Sequence, residues 1–364
     1  MKIFYDHQVF SWQKIGGVSR YFIELVRHLP DDIGYVMPPM FSENVYLDTL
    51  GDSIPAVKSL SFANYRVRKK IYEAVNQLRS ASSLSRGGYD VVHPTYYSPY
   101  FLKRLKAPYV ITVHDFIHEK YPQYFSDASK VIREKKEVVT RADRIIAISE
   151  HTRRDLTDIY GLPAERVDVI YHGASPLSSV HEPVGGVGER FVLFVGDRTK
   201  YKNFMNLTEA FAIMSKADPE LQLVCAGKPF SEAERAHLAY LGIGGRSIAC
   251  FATDSQLAWL YANTSCFVFP SEYEGFGLPI LEAWSAGAPV ALSRASCFPE
   301  IAGDAALWFD AADPAMMARA VSEAVYDADT RRRLRNLSSE RLKMFTWEKT
   351  AELTAGIYRS LSAQ

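Results

Sequence analysis

Short apolar runs alternate with longer stretches whose apolar residues recur every three to four positions, and the alternation continues along the whole chain. In the first half, residues 2–6, 91–93, 109–114, 144–148 and 167–171 read as strands, and residues 18–28, 129–141 and 150–160 as amphipathic helices. The second half restarts the pattern with strands at 191–195, 221–227, 266–270, 290–292 and 306–309. Helical spacing covers 205–215, 231–241, 255–262 and 314–326, then most of the chain from 329 on, including 347–361. Apolar runs this continuous belong to strands buried on both faces, so the expected class is α/β, with parallel sheets covered by helices. Ser149 and Thr152 are candidate helix N-caps, Thr152 with Asp155 three residues on. The segment 175–188, with two prolines, serines and three glycines, reads as a linker between domains at 1–174 and 189–346.

Composition adds bounds. The 364 residues suffice for about two domains, and 48% hydrophobic residues can fill two cores. No apolar run approaches the roughly 18 residues of a membrane span, and no signal-peptide pattern opens the chain, so the expected location is the cytoplasm. Cys225, Cys250, Cys266 and Cys297 are scattered without a Cys-x-x-Cys pair, which predicts free thiols. The net charge of zero gives no reason to expect a nucleic-acid partner. It divides unevenly: residues 1–177 hold 24 Lys and Arg against 20 Asp and Glu, and the remainder 18 against 22. Part of the first excess is Arg66, Arg68, Lys69 and Lys70, at the head of a helical pattern through Ile71, Ala74, Val75 and Leu78. That helix is read either as a peripheral contact with the inner face of a membrane or as a solvated face.

Residues 271–287 carry the densest chemistry. Glu274 and Glu282 flank the loop Gly275-Phe276-Gly277-Leu278, and Pro279 is expected as the first residue of a helix, with Glu282 in its first turn. Glycine amides and a helix N-terminus suit a phosphate, while carboxylates accept from the vicinal hydroxyls of a sugar and a ribose. Arg198 and Lys202 follow the strand that ends at Gly196, at the sheet edge where α/β ligands bind. Gly16 and Gly17 precede a helix, either as a second anion contact or as a plain strand-to-helix turn. His114 closes a strand beside Asp115. The aromatic run 93–101 is read either as a stacking surface for a sugar or isoprenoid acceptor or as loop packing. No Asp-x-Asp motif of the kind that holds a metal on a diphosphate accompanies these residues, no metal or cofactor is expected, and no Gly-x-Gly-x-x-Gly follows a strand as a dinucleotide oxidoreductase would require.

These blocks resemble, in order, the retaining glycosyltransferases of family 4. The match runs through Gly16-Gly17-Val18-Ser19-Arg20-Tyr21, Thr112-Val113-His114-Asp115, Ile148-Ser149-Glu150-His151-Thr152, Val169-Ile170-Tyr171-His172-Gly173 and Val195-Gly196-Asp197-Arg198 to Lys202-Asn203. It ends on the Glu274-x7-Glu282 signature. The resemblance implies a GT-B fold of two Rossmann-like domains with the donor in the cleft, and a last helix, 347–364, that packs back on the first domain. It also implies transfer of a hexose from a nucleotide-sugar donor to a glycan or lipid-linked acceptor. Retention would come by front-face attack without a metal, with Lys202, Arg198, His114 and Glu274 at the reacting centre. The family commonly has Arg-Lys-Asn where this chain has Tyr201-Lys202-Asn203, the arginine standing instead at Arg198. Asp115-Phe116-Ile117 and Tyr201-Lys202-Asn203-Phe204 resemble bacterial mannosyltransferases of surface-polysaccharide assembly, which favours GDP-mannose over a UDP-sugar. A GT-B phosphorylase, a nucleotide-sugar epimerase and a non-catalytic nucleotide-sugar-binding protein are the competing readings.

Overall fold

The structure, a computed structural model, describes residues 1–53, 56–57, 65–198 and 200–363, with backbone alone at residues 51–53, 56, 57, 65 and 66. Contacts divide the chain into two units, Met1–Gly173 with Trp347–Gln364, and Ala174–Thr346. Every strand pairing described is parallel.

In the first unit the strands are β1 (Lys2–Tyr5), β2 (Gly34–Val36), β3 (Met40–Phe41), β4 (Ala56–Val57), β5 (Val91–His93), β6 (Val110–Val113), β7 (Arg144–Ala147) and β8 (Val167–Val169). They order as β2-β1-β5 and β6-β7-β8, joined by a single bridge from Val92 to Tyr109, with β3 and β4 paired apart. The helices are α1 (Gln8–Trp12), α2 (Gly17–Arg27), α3 (Tyr65–Arg86), α4 (Ile117–Lys120), α5 (Ala128–Arg141) and α6 (Glu150–Tyr160). Ile3, Tyr5, Phe22, Val91 and Ile146 share one core cluster with Trp347, Ala351, Ala355 and Tyr358, so the C-terminal helix Trp347–Ser362 completes the core of this unit. A buried polar chain fixes that helix. Tyr5 Oη and Tyr358 Oη lie 2.8 Å apart, Tyr358 Oη meets His93 Nδ1 at 2.6 Å, and His93 Nε2 meets Thr112 Oγ1 at 2.9 Å. Satisfied on both nitrogens, His93 is held neutral by burial, its pKa pushed down to about 3.

The second unit has β9 (Phe191–Val195), β10 (Gln222–Ala226), β11 (Ser247–Cys250), β12 (Cys266–Phe269), β13 (Val290–Ser293) and β14 (Leu307–Phe309), ordered β11-β10-β9-β12-β13-β14. Its helices are α7 (Phe204–Ala217), α8 (Glu232–Tyr240), α9 (Asp254–Asn263), α10 (Leu278–Ser285), α11 (Phe298–Ala302), α12 (Pro314–Tyr326) and α13 (Ala328–Leu342). Strand order reverses between β9 and β12, and the carboxyl edge of an open parallel sheet at such a switch point is where its ligands usually bind.

Four expectations are corrected. Ser149 caps α6 by accepting from the Thr152 N–H, whereas Thr152 lies inside the helix with its hydroxyl 2.9 Å from Ser149 Oγ. Pro279 is the second helical residue, because Gly277 takes the left-handed conformation (φ +98°) and lets Leu278 start α10. Glu282 therefore sits in the second turn. On α3 the buried stripe is Tyr72, Asn76, Ser80 and Leu84, with Ile71, Ala74 and Leu78 exposed, since Asn76 and Ser80 find buried hydrogen-bond partners that pattern alone does not reveal. Strand β11, whose four residues are all half-buried, and helix α1, only five residues long, were absent from the periodicity.

Candidate active site

Adjacent parallel strands bring the site of the second unit together. Cys266 and Phe267 of β12 pair with Val192 and Leu193 of β9, and beyond the strand ends the Glu272 N–H donates to Tyr201 O at 2.8 Å. That bond draws the Lys202 loop against the Glu274 loop. Lys202 Nζ donates to Glu274 Oε1 at 2.5 Å, and the ammonium also lies 5.3 and 5.4 Å from the ring centroids of Tyr201 and Phe269. Glu274 is only 8% exposed, so the pair meets where water screens it weakly. Next to it the amides of Gly275, Gly277 and Leu278 donate to no described residue, at the N-terminus of α10. Free amides at a helix start beside a lysine form an anion-binding arrangement.

Three residues that the motif reading passed over brace this loop from the end of β13. Ser293 Oγ donates to Ser271 O at 2.5 Å, Ser296 Oγ accepts from the Glu274 N–H at 3.0 Å, and Cys297 Sγ donates to Phe276 O at 3.2 Å. Ser296 holds a positive φ of 49°, uncommon for a residue with a Cβ. Burial pushes the Cys297 thiol well up, so it acts as a hydrogen-bond donor and not as a nucleophile. Glu282 is half-buried and accepts from Tyr261 Oη, on α9, at 3.1 Å. Only the fold could join Tyr261 to Glu282.

Arg198 is placed differently from Lys202. Its Nε donates to Glu234 Oε1 at 2.6 Å, and its Nη2 to the carbonyls of Lys228 and Pro229 at 2.9 Å each. Its guanidinium also lies 4.9 Å from the Phe230 centroid. Nη1 is buried with no hydrogen-bond partner among the described residues, so its two N–H groups are left for a further acceptor. Glu234 is itself part of the Ser231 capping box of α8, so Arg198 ties the end of β9 to the start of α8. An open cavity of about 610 Å³, bordered by Asp197, Arg198, Lys200 and Lys228, adjoins it. Gly227 is required here, because a Cβ would stand 2.6 Å from Gly196 O.

In the first unit Gly16 caps α2 and Gly17 opens it. Gln13 Oε1 takes the Ser19 N–H at 2.8 Å, while the Gly17 and Val18 amides donate to no described residue. Tyr21 of α2 packs edge-on to His114 at 5.3 Å. The His114 backbone N–H donates to Tyr97 Oη at 3.1 Å, and its side-chain Nε2 is buried with no hydrogen-bond partner among the described residues. Burial pushes its pKa down to about 4, with Asp115 opposing and Lys135 assisting, so the ring is neutral near pH 7. On α3, Arg68 pairs with Glu43 at 3.2 Å and Lys70 is exposed; the Arg66 side chain lies outside the described residues. All four cysteines are free. No described helix is long and apolar enough to cross a membrane, and no group of three or more His, Cys, Asp or Glu among the described residues is set to hold a metal.

Residues 15–176 match the family model described as Glycosyltransferase Family 4, and residues 183–341 that described as Glycosyl transferases group 1. The chain is 26% identical to O-antigen chain mannosyltransferase B of Escherichia coli, over 99% of this chain and all of that one. It is 26% identical to the MMP alpha-(1->4)-mannosyltransferase of Mycolicibacterium hassiacum, over 79% of this chain and 75% of the relative. Among solved structures it superposes on Anabaena Alr3699/HepE in complex with UDP and glucose with a TM-score of 0.75, at 18% identity and 99% coverage of both chains. With both units matched in sequence and the parallel α/β fold shared, the chain belongs to the family 4-like glycosyltransferases of GT-B fold.

Proposed function

We propose that this glycosyltransferase moves a hexose, with retention of configuration and without a metal, from a nucleotide sugar to the hydroxyl of a glycan or lipid-linked acceptor in polysaccharide assembly. The bond from the anomeric carbon to the diphosphate breaks, the acceptor oxygen bonds on the same face, and the acceptor proton passes to the leaving diphosphate. The observation that carries the reading is the pair of half-buried Lys202 with buried Glu274 beside the amides of Gly275, Gly277 and Leu278, which donate to no described residue. Lys202, those amides and Arg198 Nη1 would neutralise the departing diphosphate in place of a metal. Glu274 would hold the transferred sugar, Glu282 the ribose, and the neutral His114 a sugar hydroxyl. GDP-mannose is favoured as donor by the two mannosyltransferases among the relatives, against the UDP of the solved neighbour. The exposed Val67, Lys70, Ile71 and Leu78 on one face of α3 support peripheral membrane contact.

The two glutamates provide the test. A ribose contact is remote from the breaking bond, so Glu282→Ala should raise the donor KM, by roughly 10- to 150-fold for a lost charged hydrogen bond of about 1.5–3 kcal/mol. Glu274→Ala should lower kcat more than it weakens binding of sugar-free GDP or UDP. Equal weakening of nucleoside diphosphate binding by both variants would refute the division.

A further inference from the structure

One cavity of the first unit is walled in part by the aromatic run 93–101, through Tyr96, Tyr97 and Ser98. It encloses about 580 Å³, room for a di- or trisaccharide by the usual size of ligand pockets, roughly 300–1,000 Å³. Its walls include aromatic rings. Trp12, half-buried, stands edge-on to Tyr96 at 4.9 Å, and Phe125 lies 4.4 Å from the His118 ring. His7, on the same wall, is 3% exposed. Ser80 Oγ engages its Nδ1 at 2.8 Å, and its Nε2 has no partner among the described residues. Desolvation lowers its pKa, leaving a neutral imidazole able to bond a hydroxyl.

Charge around the rim selects the ligand. Lys69 and Lys130 are outnumbered by Glu73, Asp127 and Glu134, and Lys130 is 3.8 Å from Glu134. An excess of carboxylate repels a lipid diphosphate. A bare isoprenoid chain would desolvate five charges and give them no partners. A sugar suits both features, since its C–H faces pack on aromatic rings and its hydroxyls donate to carboxylates and exchange hydrogen bonds with imidazole.

We propose that the cavity walled by Trp12, Tyr96 and Phe125 binds a neutral saccharide, the glycan end of the acceptor. The inference rests on the reading of the protein as a sugar transferase and names the class of its acceptor.

Saturation-transfer NMR with neutral trisaccharides of mannose, glucose and galactose tests it, with geranyl diphosphate as the isoprenoid arm. At least one trisaccharide should bind the wild type. Trp12→Leu should weaken that binding about 3- to 10-fold through lost stacking. Glu73→Ala, at an exposed site, should weaken it about 10-fold. Binding of GDP or UDP should not change in either variant. Absence of binding by all three trisaccharides, binding unaltered by both variants, or geranyl diphosphate binding that Trp12→Leu abolishes would each overturn the proposal. A wild type that binds trisaccharide but neither nucleoside diphosphate would instead overturn the proposed function.

Discussion

Replacing Lys202 by methionine separates the structural role of the Lys202–Glu274 pair from its chemical role. At 2.5 Å and an effective dielectric near 20, the gross attraction is about 7 kcal/mol. Most of it is offset by desolvation, because the side chains are only 18% and 11% exposed. A net loss of about 2–3 kcal/mol is therefore expected from Lys202→Met, between the values for exposed and fully buried pairs, much of it from leaving Glu274 buried and unpaired. For a unit of this size that lowers the melting temperature by roughly 4–10 °C. Adding Glu274→Gln removes the stranded charge and should recover at least about 1 kcal/mol. Turnover should not recover: Lys202→Met should cost roughly 10²- to 10³-fold, the scale of one preorganised electrostatic contact, and the double variant at least as much. Thermal unfolding and donor-dependent transfer, measured on the wild type, Lys202→Met, Glu274→Gln and the double variant, decide the matter. A double variant no more stable than Lys202→Met, together with a single variant of near wild-type turnover, would refute both roles.

Chelation with EDTA should leave transfer intact; loss that magnesium or manganese restores would refute the metal-free proposal. Acid should destabilise the first unit, because His114, at about 4 when folded and about 6.5 when unfolded, binds fewer protons in the native state between those values. Stability is then present above about pH 6.5 and lost towards pH 4, by roughly 3 kcal/mol, and His93 adds loss in the same direction. Melting curves between pH 7.5 and 4 should show a shallower fall for His114→Asn; an identical fall would remove His114 from the account. Gly227→Ala should cost about 1–3 kcal/mol in chemical denaturation, because its Cβ meets a backbone oxygen that cannot yield as a side chain does. An unchanged unfolding midpoint would contradict that geometry.

The α/β class and most strands were legible in the sequence, because a strand buried on both faces needs an uninterrupted apolar run and a covering helix needs a 3.6-residue repeat. Residues 191–195 and 314–326 were legible to the residue. So was the pairing of chemistries, two glutamates around a glycine loop and a lysine after a strand, since these depend on residue type and local spacing. What touches what was decided by the tertiary structure. The order β9-β12 sets Lys202 on Glu274 across 72 positions, and β13 carries Ser293, Ser296 and Cys297 to the glutamate loop. Tyr261 reaches Glu282 from a helix that no motif marks. The same holds for α3, where the apparently apolar residues Ile71 and Leu78 face out while Asn76 and Ser80 turn inward to buried partners. Hydrophobic periodicity reports transfer from water, which each residue carries by itself; hydrogen-bond partners and paired charges exist only when distant segments meet, so no single stretch of sequence encodes them.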